Sequence, residues 1–240
     1  MNKAIIRGIE LFAMRDQQAL LDFLINEQDV KFGKLVAINA EKVILNEENN
    51  EIRQSIADAE YKYADGISIV YSIRKKYPKY RNIERIAGVD LWFSLMKRCA
   101  SRQIPVFLLG GTAVTLSNTF AKLQTIGVNI VGYQDGYFLE SEEDSVIAQI
   151  KQSGAKVVTV GLGSPKQELF MQKAQGAYPN ALYMGVGGSY DVFIGAVKRA
   201  PICWQKLGLE WLYRLLKQPT RWQRQLRLIK YGYYYWKNQL

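Results

Sequence analysis

Two short apolar runs that each stop at glycine constrain this chain more than any other feature. They lie within Lys156–Pro201, which reads KVVTVGLGSPKQELFMQKAQGAYPNALYMGVGGSYDVFIGAVKRAP. Val157–Val160 is β-branched and too short for a helix, so it is expected to be a buried strand. Gly161, Gly163 and Pro165 then break the chain, and Gln167–Gln175 has helical spacing through Leu169, Phe170, Lys173 and Ala174. The second run, Ala181–Val186, ends at Gly187-Gly188, with Asp191 just beyond. Residues past the carboxyl ends of parallel strands line a ligand crevice. Glycine there lets the backbone approach a phosphate or a sugar closely. These two turns are therefore expected to form the floor of a binding site.

The rest of the chain repeats the pattern. Ile5–Phe12 is expected as an edge strand. Asp16 is placed to cap a helix over Gln17–Asn26, with Ala19, Leu20, Phe23 and Leu24 on one face. Leu35–Ile38 reads as a strand ending at Asn39, followed by a helix through Val43, Ile44 and Leu45 that continues over Asn49–Ala59. Tyr61–Ala64 precedes an Asp65-Gly66 turn, and Ile67–Ile73 resumes an apolar pattern. A helix opens at Arg85–Asp90 and runs to about Arg102. Val106–Leu109 ends in Gly110-Gly111-Thr112, before a helix over Val114–Thr125. Ile130–Tyr133 ends in Gln134-Asp135-Gly136-Tyr137, before a helix over Ser141–Ser153 with Ser141 and Asp144 in a capping box. Repeated strand–helix alternation, with strands that end in Gly, Asn or Asp, predicts an α/β protein: a mainly parallel, Rossmann-like sheet flanked by helices.

Composition narrows the chemistry. The 240 residues include no histidine. That excludes Ser-His-Asp and Cys-His nucleophiles and histidine-ligated metals, so an acid or base would be a carboxylate, a tyrosine or a lysine. Cys99 and Cys203 are far apart and in no metal spacing, which suggests a reducing compartment. Ile5-Ile6 is cut short by Arg7 and Glu10, unlike a signal peptide. No window reaches the roughly 18 apolar residues of a membrane span. The protein is expected to stay in the cytoplasm.

Charge divides the chain at residue 198. From Lys198 to Leu240 there are ten Lys or Arg against the single acid Glu210, while residues 1–197 are close to neutral. The same tail holds Trp204, Trp211, Trp222 and Trp236, four of the five tryptophans. Trp204, Leu207, Trp211, Leu212 and Leu215 recur at helical spacing, ended by Pro219. Trp222, Leu226, Ile229, Tyr233 and Trp236 then form one apolar stripe, with Arg221, Arg224, Arg227 and Lys230 beside it. A basic amphipathic helix with aromatic edges suits an anionic bilayer surface. A solvated face and single-stranded nucleic acid are the alternatives, and the apolar stripe argues against both. The tail could also pack on a second copy of the chain. Residues 1–197 are thus expected to form the catalytic domain, and 198–240 a membrane-associating helical appendage.

Among the strand-end turns, Gly161-Leu-Gly163-Ser-Pro-Lys166 lacks the Gly-Lys-Ser/Thr of a P-loop and the third glycine of a dinucleotide fingerprint. Taken with Gly110-Gly111 and Gly187-Gly188, it reads as part of a ligand site. Asp65 has two readings, a turn aspartate or a carboxylate base at the crevice. No Asp-x-Asp of the kind that holds a metal–diphosphate is present. This points to a metal-independent reaction in which arginines and backbone amides neutralise a leaving phosphate.

The chain carries, in order, Asn39 with Glu41, Ala64-Asp65-Gly66-Ile67, Arg85-Ile-Ala-Gly88, Asp135-Gly136-Tyr137, Gly163-Ser-Pro-Lys-Gln-Glu168, Gly187-Gly188-Ser-Tyr-Asp191, Lys198-Arg-Ala-Pro201 and Leu209-Glu-Trp-Leu-Tyr-Arg214. Together these motifs resemble the WecG/TagA/CpsF glycosyltransferases over nearly the whole chain. Ile38-Asn-Ala-Glu-Lys42, Ala59–Val70 and Ser72–Pro78 are similar to the enterobacterial branch. The resemblance implies an inverting, metal-independent transfer without a cofactor. The donor would be UDP-N-acetyl-D-mannosaminuronate. The acceptor would be N-acetylglucosaminyl-diphospho-undecaprenol, met on the cytoplasmic side of the inner membrane during enterobacterial common antigen synthesis.

By the same resemblance, Asp65 is the base for the acceptor's 4-hydroxyl. Asn39, Arg85, Tyr137, Gln167 and Asp191 match substrate-pocket positions, beside the strand-end glycines Gly110, Gly136, Gly187 and Gly188. Arg214, Arg221 and Arg224 match an appendage that covers the site, helps neutralise the diphosphate and reaches the membrane. Teichoic acid relatives carry Thr-x-Asn-Pro-Glu where this chain has Ala37-Ile38-Asn39-Ala40-Glu41. Their donor, UDP-N-acetylmannosamine, is the alternative. Arg85, Lys166 and a tail residue are the candidate cations for the carboxylate of a uronate donor.

Overall fold

The structure is a computed structural model that describes residues 2–26, 29–206, 208–217 and 222–240, apart from the side chains of 206, 214 and 222–225. Among these, eight strands form one sheet in the order β1-β2-β4-β3-β8-β7-β5-β6. The strands are β1 (Lys3–Ile6), β2 (Ile9–Phe12), β3 (Gly33–Ile38), β4 (Tyr61–Ala64), β5 (Val106–Gly110), β6 (Ile130–Gln134), β7 (Val157–Gly161) and β8 (Leu182–Gly185). Only β1 and β2 pair antiparallel. The carboxyl ends of β3 to β8 therefore lie along one edge.

Alternation along the buried strands builds two cores, one on each face. Val36, Ile38, Phe107, Leu109, Val158 and Val160 point to one face, where α2 (Ala40–Glu48), α3 (Asn50–Ala57), α4 (Ile67–Lys76), α7 (Glu143–Ser153) and α8 (Lys166–Ala177) cover them. Leu35, Val106, Leu108, Val157, Leu182 and Met184 point to the other. There α1 (Gln17–Leu24), α5 (Gly88–Ser101), α6 (Ala113–Gln124) and α9 (Ser189–Ile194) cover them. The neighbouring strands β3 and β8 send their following helices, α2 and α9, to opposite faces. A crevice opens at such a switch of direction.

Four local expectations change. The first strand is a hairpin, because Arg7 (φ 47°) and Gly8 (φ 77°) form a tight turn between β1 and β2. Two left-handed residues suit a two-residue hairpin loop, which Arg-Gly does not advertise. Helix does not run through Asn49: extended at φ −134°, it ends α2 and accepts the Ile52 amide with its side chain, starting α3. No Ser141–Asp144 box opens α7. Instead Glu142 Oε2 accepts the Leu139 amide at 2.7 Å across a 3-10 turn, and the helix begins at Glu143. The first tail run is two helices, α10 (Ile202–Lys206) and α11 (Glu210–Lys217). Gly208 divides them at φ +71°, where an added Cβ would stand 3.0 Å from Ile67 Cγ2. Leu207 and Pro219 lie outside the described residues.

The last helix, α12 (Trp222–Trp236), packs along α2. Tyr231, on the inner face of this helix, is buried and its hydroxyl meets Ser72 Oγ at 2.7 Å. Arg227 and Lys230 reach Glu48 at 3.1 and 3.2 Å, and the Tyr234 hydroxyl donates to Glu47 at 3.0 Å. Part of the basic flank is thus matched by carboxylates of the body. The apolar stripe faces outward instead: Ile229 is 71% and Trp236 72% exposed, with Leu226 and Tyr233 also exposed. No helix among the described residues is long and apolar enough to cross a membrane.

Candidate active site at the carboxyl edge of the sheet

Two cavities meet at Asp65. A polar cleft of about 500 Å³ lies over the ends of β3, β4 and β8, bounded by Asn39, Asp65, Arg85, Gln167, Gly187 and Asp191. An apolar cavity of about 420 Å³ lies between α4, α11 and α12, walled by Ile67, Tyr71, Trp211, Leu228, Tyr231 and Tyr235. Asn39, Glu41, Asp65, Arg85 and Glu210 line both.

The sheet explains why Asp65 is there. It is the first residue beyond β4, its amide donates to the Ile38 carbonyl at 3.0 Å, and the turn ends at Gly66. Its Oδ1 accepts the Gly88 amide at 3.0 Å, at the start of α5. A quarter of the side chain stays accessible. Arg85 clasps the same turn. Its Nε donates to the Asp65 carbonyl at 2.6 Å and its Nη1 to Glu210 Oε2 at 3.1 Å, while Nη2 stands 3.8 Å from Asp65 Oδ1. Beneath them Tyr63 is fully buried. Burial first, and the Asp65 carboxylate second, push its phenol well above the ordinary range, with Arg85 opposing, so it is neutral.

Asn39 caps α2: its Oδ1 accepts the Lys42 amide at 2.9 Å, which orients the first turn of that helix over the cleft. Lys42 then turns inward and pairs with Glu168 at 2.8 Å, both side chains almost wholly buried. Gln167 joins that pair to the β8 loop. Its Nε2 donates to Glu168 Oε1 at 2.9 Å, and its Oε1 accepts the Gly187 amide at 3.0 Å. Gly187 takes φ +51°, and Gly188 is the N-cap of α9. Asp191 accepts from Thr115 Oγ1 at 3.0 Å on the far wall. On the tail side, Arg199 forks onto Asp90 at 2.5 and 2.8 Å, with its Nε 3.8 Å from Glu210 Oε1. Burial pulls the Arg199 pKa down, but Asp90, aided by Glu210 and Asp65, holds it above its ordinary value.

Of the residues expected at the site, Asp65, Asn39, Arg85, Gln167, Gly187, Gly188 and Asp191 come together in the polar cleft. Gly110, Gly136 and Tyr137 do not line it. At Gly110, φ is +112° and an added Cβ would stand 2.5 Å from the Gly161 carbonyl, so its role here is close approach of β5 to β7. Gly136 rests against Gly110 and donates its amide to the Gly111 carbonyl at 2.8 Å. The Tyr137 side chain is 81% exposed on the loop after β6. Arg221 lies outside the described residues, as do the side chains of Arg214 and Arg224. Lys166 points at the Phe138 ring, 5.1 Å away, and not into the cleft.

Sequence reasoning passed over Lys42, Glu168, Arg199 and Glu210 as site residues. One signal was available for Glu210: it is the only acid in a strongly basic tail. Glu168 sits inside a motif but shows its partner, 126 positions away, only in the fold. Among the described residues no three Asp, Glu or Cys side chains converge as a metal-ligand set. A comparison with protein-family models matches residues 6–240 to the glycosyl transferase WecG/TagA/CpsF family. A carboxylate at the switch point of a parallel sheet, between a polar cleft and an apolar cavity, is thus the candidate centre of a sugar-transferring enzyme, and the chain belongs to the WecG/TagA/CpsF family of glycosyl transferases.

Proposed function

We propose that this chain transfers N-acetyl-D-mannosaminuronate from its UDP donor to N-acetylglucosaminyl-diphospho-undecaprenol, at the cytoplasmic surface of the inner membrane, in enterobacterial common antigen synthesis. The observation that carries the reading is the meeting of a polar cleft and an apolar cavity at one carboxylate, Asp65. A nucleotide sugar suits the first and a lipid-linked acceptor the second. Asp65 takes the proton of the acceptor 4-hydroxyl as that oxygen bonds to the donor's anomeric carbon from the far side. The bond from that carbon to the UDP oxygen breaks, UDP leaves with the electron pair, and the centre inverts. Lys198 lines the cleft without an ion pair among the described residues, and Lys217 stands on α11. Both can supply charge to anionic oxygens of the donor. Ala37, where the teichoic acid relatives have threonine, also lines the cleft.

The direct test is transfer to a short-chain N-acetylglucosaminyl-diphospho-lipid in the presence of EDTA, with UDP-N-acetylmannosaminuronate and UDP-N-acetylmannosamine offered separately. Product from the uronate alone is expected. Product from N-acetylmannosamine alone would move the chain to the teichoic acid reaction.

The outward stripe of α12 supports attachment to the bilayer. Because Arg227 and Lys230 are engaged by Glu48, apolar contact should carry much of the binding. Ile229→Asp with Trp236→Ala is expected to weaken liposome binding by about 10²–10⁴-fold at high salt, since each exposed apolar side chain is worth roughly 1.5–3 kcal/mol once buried. Sedimentation with anionic vesicles reads this out. Unchanged binding of the double variant would remove the stripe from the contact.

A further inference from the structure

Glu210 is the only acid of the tail, yet it is 4% exposed. A carboxylate tolerates such burial only when paired, and its two oxygens face two arginines from different loops. Oε2 accepts from Arg85 Nη1 at 3.1 Å, and Oε1 stands 3.8 Å from Arg199 Nε. Arg199 is already clamped by Asp90. Among the described residues, the other hydrogen bond of Arg85 is the one from Nε to the Asp65 carbonyl at 2.6 Å. A planar guanidinium held at one nitrogen can swing about that contact, whereas two contacts fix its plane. With Glu210 in place, Arg85 Nη2 is held toward the Asp65 carboxylate.

We propose that Glu210 is the positioning residue that sets Arg85 against Asp65. Glu210 opens α11, whose Trp211 walls the apolar cavity and whose Tyr213 walls the polar cleft. One buried carboxylate therefore registers both walls on Asp65. The kinetic half of this inference rests on the transfer reaction proposed above; the geometric half does not.

The test uses the full chain, a water-soluble short-chain acceptor and no vesicles, so that membrane attachment plays no part. Glu210→Gln is expected to lower kcat by about 10²-fold, the effect of misplacing a group near the reacting atoms by about 1 Å. The donor KM should stay within about threefold, because ground-state binding in the cleft is left in place. Glu210→Asp, which restores the charge, should recover part of the loss. Independently of turnover, the Arg85 Nε–H NMR signal, identified by its absence in Arg85→Lys, should exchange with water about tenfold faster in Glu210→Gln. A folded Glu210→Gln with wild-type kcat, or with the Arg85 signal protected as in wild type, overturns the proposal. If Glu210→Gln does not fold, the same two readouts on Glu210→Asp decide it: changes in both support it, and a wild-type value in either overturns it. If the wild-type chain transfers neither sugar, the proposed reaction falls, while the exchange measurement still decides the role of Glu210.

Discussion

Asp65→Asn is expected to lower turnover by about 10²–10⁴-fold, the range lost when a general base is removed. The substitution is nearly isosteric and should leave the fold intact. Asn keeps an Oδ1 to accept the Gly88 amide, and the main-chain carbonyl that receives Arg85 Nε is unchanged. What disappears is the second ionisable oxygen and its capacity to take a proton. The effect should therefore fall on kcat, with the donor KM little changed, because an interaction needed only in the transition state is lost. Steady-state rates with the proposed uronate donor, together with a thermal melt, check this. Full turnover in a variant shown to bind donor would strip Asp65 of the role and return it to the other reading of its motif, a turn aspartate.

Much of this arrangement is legible in the residues because strand-end chemistry is local. Asn39, Asp65, Gly161 and Gly187 announce themselves by following short apolar runs, and a parallel sheet brings such positions to one edge. The glycines are harder to interpret. Gly110 and Gly187 look alike in sequence, but one lets two strands approach and the other lies on the cleft. Only the strand order separates them. The tail is legibly amphipathic, yet periodicity gives a stripe without saying which face docks. In the fold, Tyr231 and Tyr234 face α2 and α4, and the stripe of Leu226, Ile229, Tyr233 and Trp236 is left outside. Helix breaks at Asn49 and Gly208 escape a reading by periodicity because an apolar pattern can persist across a cap or a left-handed residue. Pairs such as Lys42 with Glu168 and Arg85 with Glu210 span more than a hundred positions, so nothing local to either partner reveals them.

The Lys42–Glu168 pair carries the second large effect. With side chains 6% and 1% exposed, each charge depends on the other. Removing one partner leaves an uncompensated buried charge, so Lys42→Met or Glu168→Leu is expected to cost about 3–5 kcal/mol. For a chain of this size that lowers Tm by on the order of 10 °C. The double variant Lys42→Met/Glu168→Leu should regain most of the loss, since a packed apolar pair often replaces a buried ion pair at little cost. Activity should not follow stability. Gln167 Nε2 donates to Glu168 Oε1, and its Oε1 holds the Gly187 amide at the cleft floor. Without Glu168 that amide loses its fixed orientation. The stable double variant should therefore keep a donor kcat/KM about tenfold below wild type, corresponding to the loss of roughly one hydrogen bond. Melting curves and steady-state kinetics on the three variants separate the two roles. Recovery of both Tm and kcat/KM in the double variant would make the pair a packing device alone, whereas recovery of Tm only would tie a buried charge pair between α2 and α8 to the backbone at the floor of the polar cleft.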